Sequence, residues 1–96
     1  SARDLIAFAR MHLDGGAGPD GVRLLKPETV ASMQVEQVKL PPHGIADAWG
    51  LGFELFGSGN EIIPGHGGNV DAQTSSMCFI PRAHAAIAVL TNSDRG

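Results

Sequence analysis

Tyrosine is absent from the 96 residues, cysteine and tryptophan occur once each, and Lys and Arg together number only seven. Each shortage excludes something. A single cysteine, Cys78, rules out an internal disulfide. It sits in an apolar run, so a buried, inert thiol is expected there and not a nucleophile. Seven basic against ten acidic residues leave a net charge of −3. The basic residues are also scattered, whereas phosphate binding needs clustered cations, so nucleic acid is excluded as a partner. No basic amphipathic helix suggests a membrane surface. No apolar run approaches the roughly 20 residues of a membrane span. His12, His43, His66 and His84 are widely spaced, with none at metal-ligand intervals to a Cys or carboxylate, so neither a metal nor another cofactor is expected.

What is present reads as globular: 43% apolar and 18% charged residues suit a packed chain and not a disordered one. A chain of this length buries only about 60–65% of its unfolded surface, which leaves a thin stability margin. Ser1 follows neither Met nor a signal-peptide pattern, and Gly96 falls in loop-like sequence. Both ends are therefore expected to lie inside a longer polypeptide, and the compartment stays open.

The periodicity changes along the chain. From Ser1 to Leu13, the residues Leu5, Phe8, Ala9, His12 and Leu13 recur at spacings of three and four, one apolar helix face. Ser1 suits the N-cap and Asp4 the positive helix end. Gly15-Gly16 stops the helix, and residues 15–21 form a turn-rich loop. Pro27 opens a second, short helix to about Val35, with Val30, Met33 and Gln34 turned inward. Residues 36–48 are expected to be irregular. Strands are predicted at 49–56, 61–66, 74–80 and 85–90, with a hairpin connection over Gly57–Asn60 and a turn over Pro81–His84. Ala85–Leu90 is almost wholly apolar, the pattern of a central strand covered on both faces. The fold class is α+β, two helices followed by an antiparallel meander, with residues 1–40 as the helical part and 49–92 as the sheet part.

The densest chemical signal is Gly65-His66-Gly67-Gly68-Asn69, read as lying between two strands. Glycines let a substrate approach backbone N–H groups. Such donors can stabilise an oxyanion, and a neighbouring imidazole can donate a hydrogen bond or move a proton. Alone, a His between glycines reads equally as a loop residue. Among the other candidates, Asp47 and Glu54 read as solvated carboxylates. Gly57-Ser58-Gly59 lacks the G-x-S-x-G spacing of a nucleophile elbow. Thr74-Ser75-Ser76 reads as strand with hydroxyls on a polar face. Trp49 and Phe53 read as core residues that could also wall a substrate site.

Taken in order, several segments resemble the class C β-lactamase and penicillin-binding-protein-like superfamily of serine hydrolases, over nearly the whole chain. Ser1–Arg10 is similar to the family's S-x-x-D-L-x-x-F helix, and Gly21–Val30 to its G-x-x-L-L-S-P-E-T-V segment. Trp49-Gly50-Leu51-Gly52-Phe53 resembles Y-G-L-G-W, Gly65-His66-Gly67-Gly68 the third active-site motif [K/H]-x-G, and Leu90-Thr91-Asn92-Ser93 the strand ending V-L-T-N-S. The resemblance implies a partial β-lactamase/transpeptidase-like fold, the C-terminal portion of an acyl-enzyme hydrolase. Its substrate would be a small molecule: a β-lactam, a peptide or an ester. It also implies that His66 contacts the substrate carboxylate or the proton network, and that the Asn69 backbone N–H supplies half of an oxyanion hole. His66, Gly67, Gly68 and Asn69 are the site residues so implied.

The departures are equally specific. With no Tyr there is no Y-x-N, and no Ser has Lys three residues on, so S-x-x-K is missing too. The chain by itself therefore lacks the nucleophile and its base. Lys26 replaces a common Ser before Pro27, and Ala72 stands where Gly is frequent. Two other readings are an α/β-hydrolase oxyanion loop built on His66-Gly67-Gly68, and a non-catalytic binding or assembly module. Exposed sheet edges would promote self-association.

Overall fold

In the computed structural model, residues 1–42, 44–57 and 61–95 are described; His43, expected in an irregular stretch, and Ser58–Asn60, expected in a hairpin connection, lie outside them. Helix α1 spans Ala2–Leu13 and α2 spans Pro27–Met33. The strands are β1 Val38–Lys39, β2 Ala48–Trp49, β3 Glu54–Phe56, β4 Ile63–Val70, β5 Gln73–Ile80 and β6 Ala85–Thr91. All six join one antiparallel sheet in chain order. The α+β class holds, and every connection within the sheet is to its sequence neighbour.

Helix α1 starts as its residues dictate. The Ser1 hydroxyl accepts from the Asp4 N–H at 3.3 Å while the Asp4 carboxylate accepts from Ser1, a reciprocal capping box. That hydroxyl bond, ahead of the nearby N-terminal ammonium, lowers the Asp4 pKa. At the other end, Gly15 and Gly16 take φ of +73° and +103°, which glycine alone adopts without penalty. The helix lies across β5 and β6, burying Ala9 and His12 with Leu5 and Leu13 beside them. Helix α2 ends at Met33, two residues before its expected end; Gln34 is the C-cap, and Val35 is 49% exposed.

The core gathers Ala9, Ala48, Phe53, Leu55, Met77 and Phe79. Phe79 and Leu55 are 0% and 1% exposed, and each full burial of this kind contributes roughly 1.5–3 kcal/mol. Ladder register explains the selection. Phe79 stands opposite Ala86 and Met77 opposite Ala88, so alternate residues of β5 and β6 face α1. Into this core α1 inserts His12, which is 3% exposed. Its ring lies 4.9 Å from Phe8, 4.9 Å from Phe53 and 5.6 Å from Phe79, the last nearly parallel. Neither ring nitrogen has a hydrogen-bond partner, and burial lowers the His12 pKa. The sequence put His12 on the apolar helix face, and it stands at the centre of the core.

Other expectations change in the sheet. Residues 36–48 are not wholly irregular, because Val38–Lys39 pairs with Ala48–Trp49. Residues 49–56 are not one strand: Gly52 takes φ +81° and the Gly50 N–H donates to the Phe53 carbonyl at 2.8 Å, closing a hairpin between β2 and β3. Strand β4 runs on to Val70, so the glycine-rich motif lies inside a strand and not between two. Finally, β6 is the edge strand of this sheet. Its inward residues Ala86 and Ala88 pack on the core, while Ile87 and Val89 are 56% and 51% exposed on the other face. Cys78 is half-buried on that outer side, not fully enclosed.

Candidate active site

Strand β4 carries the motif because its far half pairs on one side only. Toward β5 the ladder is continuous, with His66 opposite Met77, Gly67 opposite Ser76, Gly68 opposite Ser75 and Asn69 opposite Thr74. Toward β3 it stops at Gly65, which pairs with Glu54. Beyond that point β3 has turned away, since the Leu51 N–H is held by the Met33 carbonyl at 3.2 Å. Gly50 makes this approach possible, for a Cβ there would sit 2.1 Å from the Met33 carbonyl oxygen.

Backbone direction follows from the same bonds. Phe53 and Leu55 accept from the Gly50 and Asp47 N–H groups at 2.8 and 3.0 Å, so both aim at β2. Antiparallel strands alternate, so Glu54 aims at β4 and Gly65 opposite it aims back. Continuing the alternation, the backbone groups of Gly67 and Asn69 face the unpaired side. Residues His66 to Val70 are all exposed, so these amides border an accessible strand edge.

The glycines differ in their reasons. Gly65 is buried, and a Cβ on it would lie 2.7 Å from the Met77 carbonyl oxygen; its demand is packing, not access. A Cβ on Gly67 would meet only Ser75 O at 3.4 Å, an ordinary contact, so its lack of a side chain keeps the edge open. At Gly68 the Ser75 hydroxyl would be 2.9 Å away. That hydroxyl donates to the Gly68 carbonyl at 3.4 Å. Gly68, Asn69, Ser75 and Leu90 line a shallow depression of about 220 Å³. The three hydroxyl residues do not share one face: Ser75 alternates with Thr74 and Ser76, and the Thr74 Oγ1 is buried without a partner.

His66 Nδ1 lies 2.6 Å from the Gly67 carbonyl oxygen. Its ring is 5.6 Å from that of Trp49, tilted by 59°. Trp49 and Phe53 therefore divide: Phe53 is a core residue, 3% exposed, whereas Trp49 is half-buried beside His66. Gly50 and Gly52, which turn the chain between the two residues, were the signal available for this division.

A larger cavity, about 630 Å³, lies elsewhere, among Lys39, Leu40, Pro41, Asp47, Leu55 and Ile62. It touches none of residues 65–69, and the Asp47 carboxylate on its rim already accepts from the Gly57 N–H at 2.7 Å. The chemistry of residues 65–69 outweighs the size of that groove. Glu54 is half-buried at the β3 end. His84 is in an exposed turn with φ +50°, its Nε2 3.3 Å from Asp14. Among the described residues no three His, Cys, Asp or Glu side chains group as a metal site. Among the same residues no helix is long and apolar enough to cross a membrane.

No protein-family profile matches the chain. Over 94 residues it is 36% identical to penicillin-binding protein 4 of Amycolatopsis lactamdurans, a match covering 96% of this chain and 25% of that protein. The crystal structure of SurE superposes with a TM-score of 0.83 at 34% identity, over all of this chain and 22% of that one. SurE with D-Leu gives 0.79 at the same identity. The octameric penicillin-binding protein homologue from Pyrococcus abyssi shares the fold, with a TM-score of 0.78 at 24% identity over 97% of this chain and 20% of that one. The chain thus spans about a quarter of the length of the penicillin-binding protein it matches. The order of motifs, the antiparallel sheet and these relatives agree in making the chain similar to the β-lactamase and penicillin-binding-protein-like superfamily.

Proposed function

We propose that this chain is the C-terminal part of a serine hydrolase of β-lactamase, DD-peptidase or esterase type, with residues 1–96 forming one portion of a larger domain. It supplies the third-motif wall of the cleft, and the attacking serine with its base comes from elsewhere in the polypeptide. The observation that carries the reading is the half-paired strand β4, whose Gly67 and Asn69 amides face the open side beside His66. An acyl-transfer intermediate carries an oxyanion, and preorganised N–H donors in such a position stabilise it. In this reading the Asn69 N–H is one donor, Gly67 and Gly68 keep the approach clear, and His66 serves the proton network. The alternative oxyanion loop of an α/β-hydrolase follows a parallel strand, and the antiparallel pairing throughout this sheet favours the first reading.

The substrate class follows from the relatives by name. A penicillin-binding protein and a protein crystallised with D-Leu support an acyl substrate of β-lactam or D-amino-acid peptide type, with small esters as the third class. Turnover of a chromogenic cephalosporin and a nitrophenyl ester tests the reading. The 96-residue chain alone should give none. A longer protein joining it to S-x-x-K and Y-x-N motifs should turn over at least one, and His66→Ala should cost it about 10²-fold or more. Turnover by the isolated chain would sink the proposal. The exposed Ile87 and Val89 and the free edge of β6 support self-association of the isolated chain; a monodisperse monomer by light scattering would contradict this.

A further inference from the structure

The arrangement around His66 carries the reading above one step further. A carbonyl oxygen only accepts hydrogen bonds, so an imidazole nitrogen 2.6 Å from the Gly67 oxygen must be the one bearing the proton. His66 Nε2 has no hydrogen-bond partner among the described residues. The Trp49 ring stands against the imidazole at 5.6 Å, and Trp49 is itself held in place from both sides. Its neighbour Gly50 closes on the Met33 carbonyl, and its own carbonyl accepts from the Gln37 N–H at 2.8 Å. An exposed histidine side chain would otherwise rotate freely between rotamers and tautomers.

We propose that Trp49 is a positioning residue which, with the Gly67 carbonyl, fixes His66 as its Nδ1–H tautomer and leaves Nε2 as a proton acceptor. The inference rests on the assignment of His66 to the cleft and narrows its role. A Lys at this position would be a permanent donor, whereas His66 in this tautomer presents a lone pair. The group that meets Nε2 is therefore a donor, a hydroxyl or an amine, and not a carboxylate.

The test is NMR of the chain labelled with ¹⁵N and ¹³C in histidine, at a pH where the imidazoles are neutral. In the unsubstituted chain, His66 Nδ1 should show the shift of a protonated ring nitrogen and Nε2 that of an unprotonated one. Trp49→Ala should lower the Nδ1–H to Nε2–H ratio about fivefold, the weight of one ordinary hydrogen bond. Trp49→Phe should largely restore it. Backbone amide shifts of β4 and β5 show whether each variant keeps the sheet. Either an Nε2–H tautomer in the unsubstituted chain, or a ratio indifferent to Trp49→Ala with the sheet intact, overturns the proposal. Neither outcome depends on turnover, so failure here is distinct from failure of the hydrolase reading.

Discussion

His12→Phe should stabilise the chain, because His12 places two polar atoms where nothing meets them. The imidazole is 3% exposed and neither nitrogen is paired. In its neutral form one N–H and one lone pair are orphaned, at a cost of about 1–3 kcal/mol each. Three aromatic contacts, to Phe8, Phe53 and Phe79, return about 0.5–1.5 kcal/mol each. Phenylalanine keeps the ring contacts and removes both orphans. Its greater bulk costs about 1–3 kcal/mol in a tight core, at the low end here because Phe8 is 43% exposed and can yield. The expected net gain is about 1–3 kcal/mol at pH 8. The gain should widen in acid. The unfolded chain protonates His12 near its ordinary 6.5, and burial sets the folded value lower. Below 6.5 the unfolded state therefore binds the proton first. The stability tied to neutral His12 is complete above about pH 7 and is lost as pH falls from 6.5 through the folded value, by at most about 1.4 kcal/mol per pH unit. Urea unfolding followed by circular dichroism at pH 8 and 5.5 measures both effects. A variant less stable at pH 8, or a difference between the two proteins that is the same at both pH values, would refute the reasoning.

Three further outcomes follow from backbone and cap geometry. Ala72, at the β4–β5 turn, takes φ +62°, a left-handed conformation that costs a non-glycine residue about 1–2 kcal/mol. Ala72→Gly should raise stability by up to about 1 kcal/mol once glycine's entropy is subtracted, seen as a higher urea midpoint. Lys26 is the N-cap of α2 in extended conformation with no side-chain cap bond; Lys26→Ser should add about 0.5–1 kcal/mol by the same assay. Gly50→Ala forces a Cβ against the Met33 carbonyl and should cost about 1–3 kcal/mol. Trp49 is the sole tryptophan, so its emission should shift to the red as the hairpin moves, and an unchanged spectrum would argue against that coupling.

Local signals made α1 legible: Ser1, Asp4, the apolar spacing and Gly15-Gly16 agree, and the helix lies where they put it. Strands β5 and β6 followed from runs of apolar and β-branched residues. The misread parts depend on partners distant in sequence. Gly67 and Gly68 have no side-chain preference for a strand, yet pairing with Ser76 and Ser75 extends them. Trp49–Phe56 alternates like a strand, but Gly50 and Gly52 fold it back, and only the Met33 carbonyl explains why. The two residues of β1 carry no pattern of their own. At β6, apolar residues on both faces imply cover on both, while α1 covers one. The candidate site was legible as residues; its open edge and Trp49 as neighbour required the fold.

The proposed role of the Asn69 backbone amide as an oxyanion donor can be tested directly. In a protein joining this segment to its nucleophile, Asn69→Pro removes that N–H at an outward-facing edge position where proline is tolerated. Asn69→Ala changes only the exposed side chain. Hydrolysis of a nitrophenyl ester should lose about 10²–10³-fold in kcat with proline and stay within a few-fold with alanine. Retained turnover in Asn69→Pro, or an equal loss in Asn69→Ala, would contradict the account.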